Sequence, residues 1–273
     1  MQDFKDKTVV ITGGATGIGF ALAKVFGADG AKIVIGEPRE ARLQEAVAAL
    51  GDLGIEASYI VCDVTDPASV EALADFAWDT HGHVDVLINN AGISIGPGRV
   101  TNLPLEKLHA LFDVNFFGVW HGAAIFGKRM VAQGTPAAIY NLGSENSFFS
   151  AVPNNTAYLA SKHAVHGLTV GLREEMPDFI TVGLICPGWV GTELVDARLR
   201  HMTMDPDRFA AIVMEQVRAG EFYIVSHAYN MVHIDARYAE LAKAYATYAP
   251  RYDGDEEYDV RLQIPNIIEA LKD

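Results

Sequence analysis

Cysteine is scarce in this chain. Only Cys62 and Cys186 occur, each inside an apolar, strand-like run. Two such thiols cannot build a disulfide framework, and a buried, reduced pair is expected. No apolar run approaches the roughly 18 residues of a membrane span. Residues 1–7 are charged and lead straight into a strand-like run, without the apolar segment of a secretory signal. These absences point to a cytoplasmic protein with no membrane partner. Positive charge is also short: 21 basic against 35 acidic side chains give a formal net charge of -14. Such a surface repels phosphate backbones, and no basic patch offsets it, so nucleic acid is not an expected partner. Metal-ligand clusters are lacking too. His81-Gly82-His83 has no third ligand nearby, and no metal is expected. There is no internal repeat and no low-complexity linker.

What remains is apolar and regularly punctuated. Half of the 273 residues are hydrophobic, ample for a large core. Strands are expected at 8–12, 31–35, 57–62, 84–88, 137–142 and 181–186, with a seventh at 222–225. Helices are expected from Gly17, over 39–50, from the Asp66-Pro67 start to about 80, over 104–133 and over 155–176. Nearly continuous apolar strands, each followed by a helix, mean an α/β fold with a doubly wound parallel sheet covered on both faces. Residues 192–220 are polar, methionine-bearing and helical in pattern, and are read as a substrate lid. Residues 230–273 read as a helical C-terminal extension, two helices split by a loop at 250–255. Both are taken as appendages on a single domain spanning 1–273.

Thr12-Gly13-Gly14-Ala15-Thr16-Gly17-Ile18-Gly19 joins the first strand to the first helix. Missing side chains let the backbone turn and approach a pyrophosphate, and the helix start offers free N–H groups. Glu37, following the second strand, is placed to accept hydrogen bonds from the adenosine ribose hydroxyls and to repel a 2′-phosphate. That favours NAD. NADP stays open because Arg39 offers a guanidinium for the phosphate, although Thr16 is neutral where a basic residue would help. Asp63-Val64 and Asn89-Asn90-Ala91-Gly92 fall at strand ends, where open α/β sheets bind ligands. Tyr158 and Lys162 are four residues apart in a helix, which puts a phenol and an ammonium on one face. Ser144 lies just past the fifth strand.

Taken together and in order, Thr12-Gly13-x-x-x-Gly17-x-Gly19, Asp63-Val64, Asn89-Asn90-Ala91-Gly92, Asn115, Ser144, Tyr158-x-x-x-Lys162 and Pro187-Gly188-x-Val190-x-Thr192 resemble the short-chain dehydrogenase/reductase family in its standard, non-extended branch. The resemblance covers about residues 5–195. It implies a Rossmann-type sheet of seven strands in the order 3-2-1-4-5-6-7, a nicotinamide cofactor and a catalytic set of Asn115, Ser144, Tyr158 and Lys162. It implies a cofactor set of Gly13, Thr16, Gly17, Ile18, Gly19, Glu37, Asp63, Val64, Asn90, Ala91, Gly92, Tyr158, Lys162, Pro187, Gly188, Val190 and Thr192. It also implies a homo-oligomer, formed through the long helices. The chain departs from the family pattern in having Gly143 where a second serine is frequent, one extra residue between Ser144 and Tyr158, and no glycine-rich C-terminus.

The chemistry so implied is hydride transfer between the nicotinamide and a secondary alcohol or ketone. Tyr158 acts as general acid/base, and the Lys162 ammonium together with the positive nicotinamide of the oxidised cofactor lowers its pKa from near 10. Ser144 holds the substrate oxygen. Asn115 kinks its helix and orders a water beside the lysine. Phe148, Phe149, Trp189, Met202 and Met204 suit a bulky apolar or aromatic substrate, or else pack a lid against the core. The competing readings are an NADP-dependent carbonyl reductase of the same fold and a non-catalytic dinucleotide sensor.

Overall fold

The seven apolar runs form strands β1 (Thr8–Thr12), β2 (Lys32–Glu37), β3 (Ala57–Val61), β4 (Val86–Asn89), β5 (Ala137–Leu142), β6 (Ile180–Cys186) and β7 (Tyr223–Val225). The computed structural model describes residues 3–271. Residues 1, 2, 272 and 273, part of the expected 1–273 span, lie outside the described residues. The strands make one sheet in the order β3-β2-β1-β4-β5-β6-β7, every pair parallel. The winding reverses between β1 and β4. Such a switch point opens a crevice at the carboxyl ends of the strands.

Helices α1 (Gly17–Ala28), α2 (Glu40–Asp52), α3 (Pro67–His81), α4 (Leu105–Phe112), α5 (Gly118–Gln133), α6 (Thr156–Glu175) and α7 (Pro206–Ala219) cover the two faces. Alternation along β1 divides the core. Val9 and Ile11 join Leu22 and Phe26 of α1, Leu43 of α2 and Phe209 and Val213 of α7. Val10 faces the other way, into Leu73 of α3, Phe126 of α5 and Leu172 of α6. Both faces are dry, which is why the strands are nearly uniformly apolar. A buried polar chain crosses the second face. Asn89 Nδ2 donates to Asn141 Oδ1 at 2.9 Å, Asn141 Nδ2 to Thr169 Oγ1 at 3.0 Å, and Thr169 Oγ1 to the Val165 carbonyl at 2.7 Å. It ties α6, the carrier of Tyr158 and Lys162, to β4 and β5.

Several boundaries differ from expectation for physical reasons. β2 runs two residues further than expected, so Glu37 is its last residue rather than a loop residue, paired in register with Val61 of β3. The expected helix over 104–133 is interrupted by a π-helical turn, Asp113–Phe117. Periodicity does not reveal an inserted residue of this kind, and π turns concentrate at functional positions. The expected lid, 192–220, divides. Residues up to Thr203 form a loop with a 3₁₀ turn, Ala197–Met202, that buries none of its residues. Beyond it, α7 buries Phe209, Ala210, Val213, Met214 and Val217 and is part of the sheet's covering layer. A compact unit reaches Asn230, and a second begins at Met231. The second holds the body of α8 (Asn230–Tyr248) and α9 (Val260–Ala270), with a 3₁₀ turn, Asp255–Tyr258, in the loop between them.

Candidate active site

The first βα turn is shaped by its glycines. Gly13 and Gly17 have φ of +63° and +56°, a conformation side chains disfavour. At Gly19 a Cβ would fall 2.4 Å from the Gly13 carbonyl oxygen and 2.5 Å from Asn90 Nδ2. Asn90 is the brace: its Nδ2 donates to the carbonyls of Thr12 and Gly13, both at 2.9 Å, and its N–H donates to Thr12 Oγ1 at 3.0 Å. The Ala91 N–H donates to the same hydroxyl at 3.2 Å. Thr16 occupies the N-cap of α1 without a side-chain cap bond, and Ile18 is buried beneath the turn. The Thr192 methyl face packs over Gly17, 3.1 Å from the place a Cβ would take. A close-approach turn, an uncapped helix start and a facing threonine fit a pyrophosphate.

At the end of β2 the Glu37 carboxylate is nearly buried and pairs with Arg39 Nε at 2.5 Å. Arg39 Nη1 also reaches Glu193 at 3.1 Å, and Arg42 Nη2 reaches the other oxygen of Glu193 at 3.1 Å. The sequence pattern singled out Arg39 but not Glu193 or Arg42, since the contact joins positions about 150 residues apart. At the end of β3, Asp63 caps its own turn. Its Oδ1 accepts from the Thr65 N–H at 3.0 Å and the Thr65 hydroxyl at 2.8 Å. Val64 is buried against Gly118, and its carbonyl accepts from His121 at 2.9 Å.

Beyond β4 and β5 the polar residues converge. Asn115 sits in the π turn, fully buried, with Oδ1 accepting from the Ile93 N–H at 2.8 Å and Nδ2 donating to the Ile93 carbonyl at 3.1 Å. A Cβ on Gly92 would stand 3.4 Å from Asn115 Oδ1 and 3.9 Å from Lys162 Nζ. Lys162 is 3% exposed. Its Nζ donates to the Leu142 carbonyl at 2.8 Å and lies 5.7 Å from the centre of the Tyr158 ring. The Ser144 side chain faces the Tyr158 hydroxyl closely enough to favour its ionised form. Ser144 Oγ accepts from the Asn146 N–H at 3.1 Å and Asn146 Nδ2 at 3.4 Å. Ser147 closes the turn: it accepts from the Ser144 N–H at 3.2 Å and donates to the Lys162 carbonyl at 2.9 Å. A side chain at position 143 would meet Ser147 Oγ at 2.8 Å, which accounts for Gly143. Asn146 and Ser147 had no motif to mark them. Their role follows from a 3₁₀ turn, Glu145–Ser147, that occupies the extra length before Tyr158.

Burial pushes the Tyr158 phenol up to about 12, the Ser144 side chain opposes the rise, and the Glu145 carboxylate adds to it. Burial also pushes the Lys162 ammonium down to about 8, opposed by Cys186. In the chain alone, desolvation outweighs any help that the lysine gives phenolate. The resting site therefore holds a protonated phenol above an ammonium that is mostly charged at pH 7.

The proposed substrate residues separate. Phe148 packs edge-on against His166 and Tyr223, with ring centres 5.1 and 5.8 Å away, and Phe149 is buried. Trp189 and Met202 remain open, 42% and 62% exposed. Met204 is partly buried against the core, and its N–H donates to the Trp189 carbonyl at 3.0 Å. Val190 is buried and bridges to Met204 in parallel fashion. Pro187 accepts from the Glu145 N–H at 2.8 Å. Gly188 lies against His227. Among the described residues no helix is long and apolar enough to cross a membrane, and no group of three or more His, Cys, Asp or Glu is placed to hold a metal ion.

A parallel sheet with a glycine turn at its switch point defines a Rossmann-type dinucleotide-binding protein. The chain belongs to the short chain dehydrogenase family, in its classic non-extended branch: the family's model matches residues 7–203. Among its relatives is a 1-deoxy-11-beta-hydroxypentalenate dehydrogenase of Streptomyces avermitilis, 34% identical over 230 residues, with 81% of this chain and 84% of the relative covered. LigO of a Sphingobium strain, solved without ligand, superposes with a TM-score of 0.83 at 31% identity and 98% coverage of both chains. A short chain dehydrogenase/reductase of Burkholderia phymatum, solved with NAD, also gives 0.83, at 28% identity over 89% of this chain and 97% of the other. The protein is accordingly an NAD(P)-dependent oxidoreductase with a small-molecule substrate.

Proposed function

We propose that this protein transfers hydride between NAD and a secondary alcohol or ketone, with Tyr158 as general acid/base. The observation carrying this reading is the convergence of Ser144, Tyr158 and Lys162 at the carboxyl ends of β5 and β6. When bound, the dinucleotide supplies the hydride acceptor or donor. Gly13, Gly17, Ile18 and Gly19 would hold its pyrophosphate, with Thr16 and Thr192 beside them, and Glu37 would accept from the adenosine ribose. Asn90 and Ala91 keep the glycine turn in shape. Asp63 and Val64 wall the adenine side. Pro187, Gly188 and Val190 form the loop that faces the carboxamide.

Ser144 Oγ is already an acceptor for two Asn146 donors, so its own proton is directed outward, towards Tyr158 or a substrate oxygen. In ketone reduction the protonated Tyr158 gives its proton to the forming alkoxide. In alcohol oxidation it takes the hydroxyl proton, which requires positive charge beyond Lys162 to offset burial. Lys162, next to Gly92, would hydrogen-bond the nicotinamide ribose. Asn115 anchors Ile93, and with it the Gly92 turn against which Lys162 is set.

NAD is favoured over NADP because both nearby guanidiniums, Arg39 and Arg42, are engaged by Glu193, and Arg39 also by Glu37. A 2′-phosphate would have to break those pairs and meet a carboxylate. Trp189 and Met202 line an apolar approach, which suits a bulky aromatic or alicyclic alcohol. Phe148 and Phe149 are released from that role by their packing. Exposed Phe117 and Trp120, at the end of the π turn and in α5, support a homo-oligomer. A screen of aromatic and alicyclic secondary alcohols with NAD and NADP tests the reading, with Tyr158→Phe as control. Turnover falls by about three orders of magnitude in that variant while dinucleotide affinity persists. Turnover that survives the substitution refutes the mechanism, and a better rate with NADPH refutes the use of Glu37.

A further inference from the structure

Outside the span matched by the family, directly after β7, His227 lies flat against the loop that follows β6. A Cβ on Gly188 would fall 2.5 Å from its Cγ and 2.7 Å from its Nδ1. The Gly188 N–H donates to His227 Nδ1 at 3.2 Å, and Ser226 Oγ lies 2.8 Å from the same nitrogen. The Trp189 carbonyl lies close enough to the ring to favour its protonated form and takes the Met204 N–H at 3.0 Å. With Nδ1 occupied as acceptor, the ring proton belongs on Nε2, and the imidazole is neutral.

We propose that His227 is a positioning residue of the dinucleotide site. Its neutral ring clamps the Gly188 N–H and the Trp189 carbonyl, so that the Pro187–Val190 loop is set for the nicotinamide end, and acid releases the clamp. The proposal rests on the NAD-dependent reading above. The physical case is that two nearby peptide groups of one loop are held by one rigid aromatic ring. Protonating Nδ1 replaces an acceptor by a second donor that faces the Gly188 N–H, and the loop must move away. Burial holds the imidazole below its ordinary range. The Trp189 carbonyl works against that shift, and the Arg208 guanidinium of α7 reinforces it. Release is therefore confined to acid.

The substitutions separate the two ends of the clamp. His227→Asn keeps an acceptor near the Nδ1 position and does not titrate. His227→Ala removes both contacts. In the alanine variant, kcat/KM for NAD falls about ten-fold at pH 7, mostly through KM, with unchanged alcohol preference. In the asparagine variant it stays within about three-fold of wild type, and the acid limb of the wild-type profile disappears. Amide hydrogen exchange on the chain without dinucleotide reads the clamp independently of turnover. The Gly188 amide is protected in wild type and His227→Asn, exchanges about ten-fold faster in His227→Ala, and speeds up in wild type as pH is lowered once intrinsic rates are divided out. Wild-type kinetics and protection in His227→Ala overturn the proposal, as does an asparagine variant that keeps the acid limb. A wild-type chain without turnover on any alcohol refutes the dehydrogenase reading alone, and the exchange measurement then still decides the clamp.

Discussion

Replacing Lys162 by methionine tests the electrostatics of the site most directly. The folded chain buries this ammonium and lowers it to about 8 from its ordinary 10.5. Below pH 8 both folded and unfolded chains carry the proton, and the folded state bears the whole cost of burial. A shift of this size corresponds to ~3 kcal/mol, at about 1.4 kcal/mol per pH unit. Between pH 8 and 10.5 the unfolded chain holds a proton that the folded chain has lost, so this group makes stability rise with pH. Methionine has a similar shape and no charge. It removes the cost at pH 7 but leaves the Leu142 carbonyl without the donor it has at 2.8 Å, a loss of about 1–2 kcal/mol. Lys162→Met is thus expected to gain about 1–2 kcal/mol at pH 7. The advantage fades above pH 8 and reverses by about pH 10.5 as the wild-type lysine becomes neutral. Tyr158 titrates in both proteins and drops out of the difference. Urea denaturation of the two proteins at pH 7 and pH 10, at one protein concentration, measures this, and turnover assayed alongside should be lost. A stability difference that does not change with pH would show that the ammonium is not buried as described.

Gly19→Ala should disturb the cofactor turn without touching the catalytic set. The new methyl must displace the Gly13 carbonyl and the Asn90 amide. A loss of about 2–4 kcal/mol in unfolding free energy and at least ten-fold in NAD affinity is expected, read by melting and calorimetry. Unchanged affinity would remove the pyrophosphate from this turn. Glu193→Gln should release Arg39 Nη1 and Arg42 Nη2, while Glu37 keeps Arg39 Nε and Glu45 keeps Arg42 Nη1, and raise the NADP-to-NAD ratio of kcat/KM by about ten-fold. Arg39→Ala, made in that background, should cancel most of the gain. An unmoved ratio would show that these pairs do not govern the choice of dinucleotide.

Parallel winding and the place of the crevice were legible in the chain, because each depends on local pattern, whereas the order of strands came only from the family resemblance. Apolar runs of strand length separated by helical periods allow little else than a covered parallel sheet, and glycine spacing reveals where backbone must come close to something. Tyr158 and Lys162 were legible because one helical turn relates them. Illegible were contacts between distant segments and effects of depth. Glu193 meets Arg39 and Arg42 only because the loop after β6 folds over the end of β2. His227 meets Gly188 only because β7 lies beside β6. The π turn at Asn115 is one extra residue within an unbroken helical pattern, and α7 resembled a lid until its apolar stripe met α1.

What the sequence determined by itself is the chemistry available: a phenol, an ammonium, a hydroxyl and a glycine turn at the ends of parallel strands. Only the tertiary structure decided the protonation states of those groups. A spacing of four residues brings a cation near a phenol, but the free energy of each ionised form depends on how much water the surrounding layers exclude. In this chain exclusion outweighs proximity, raising Tyr158 and lowering Lys162.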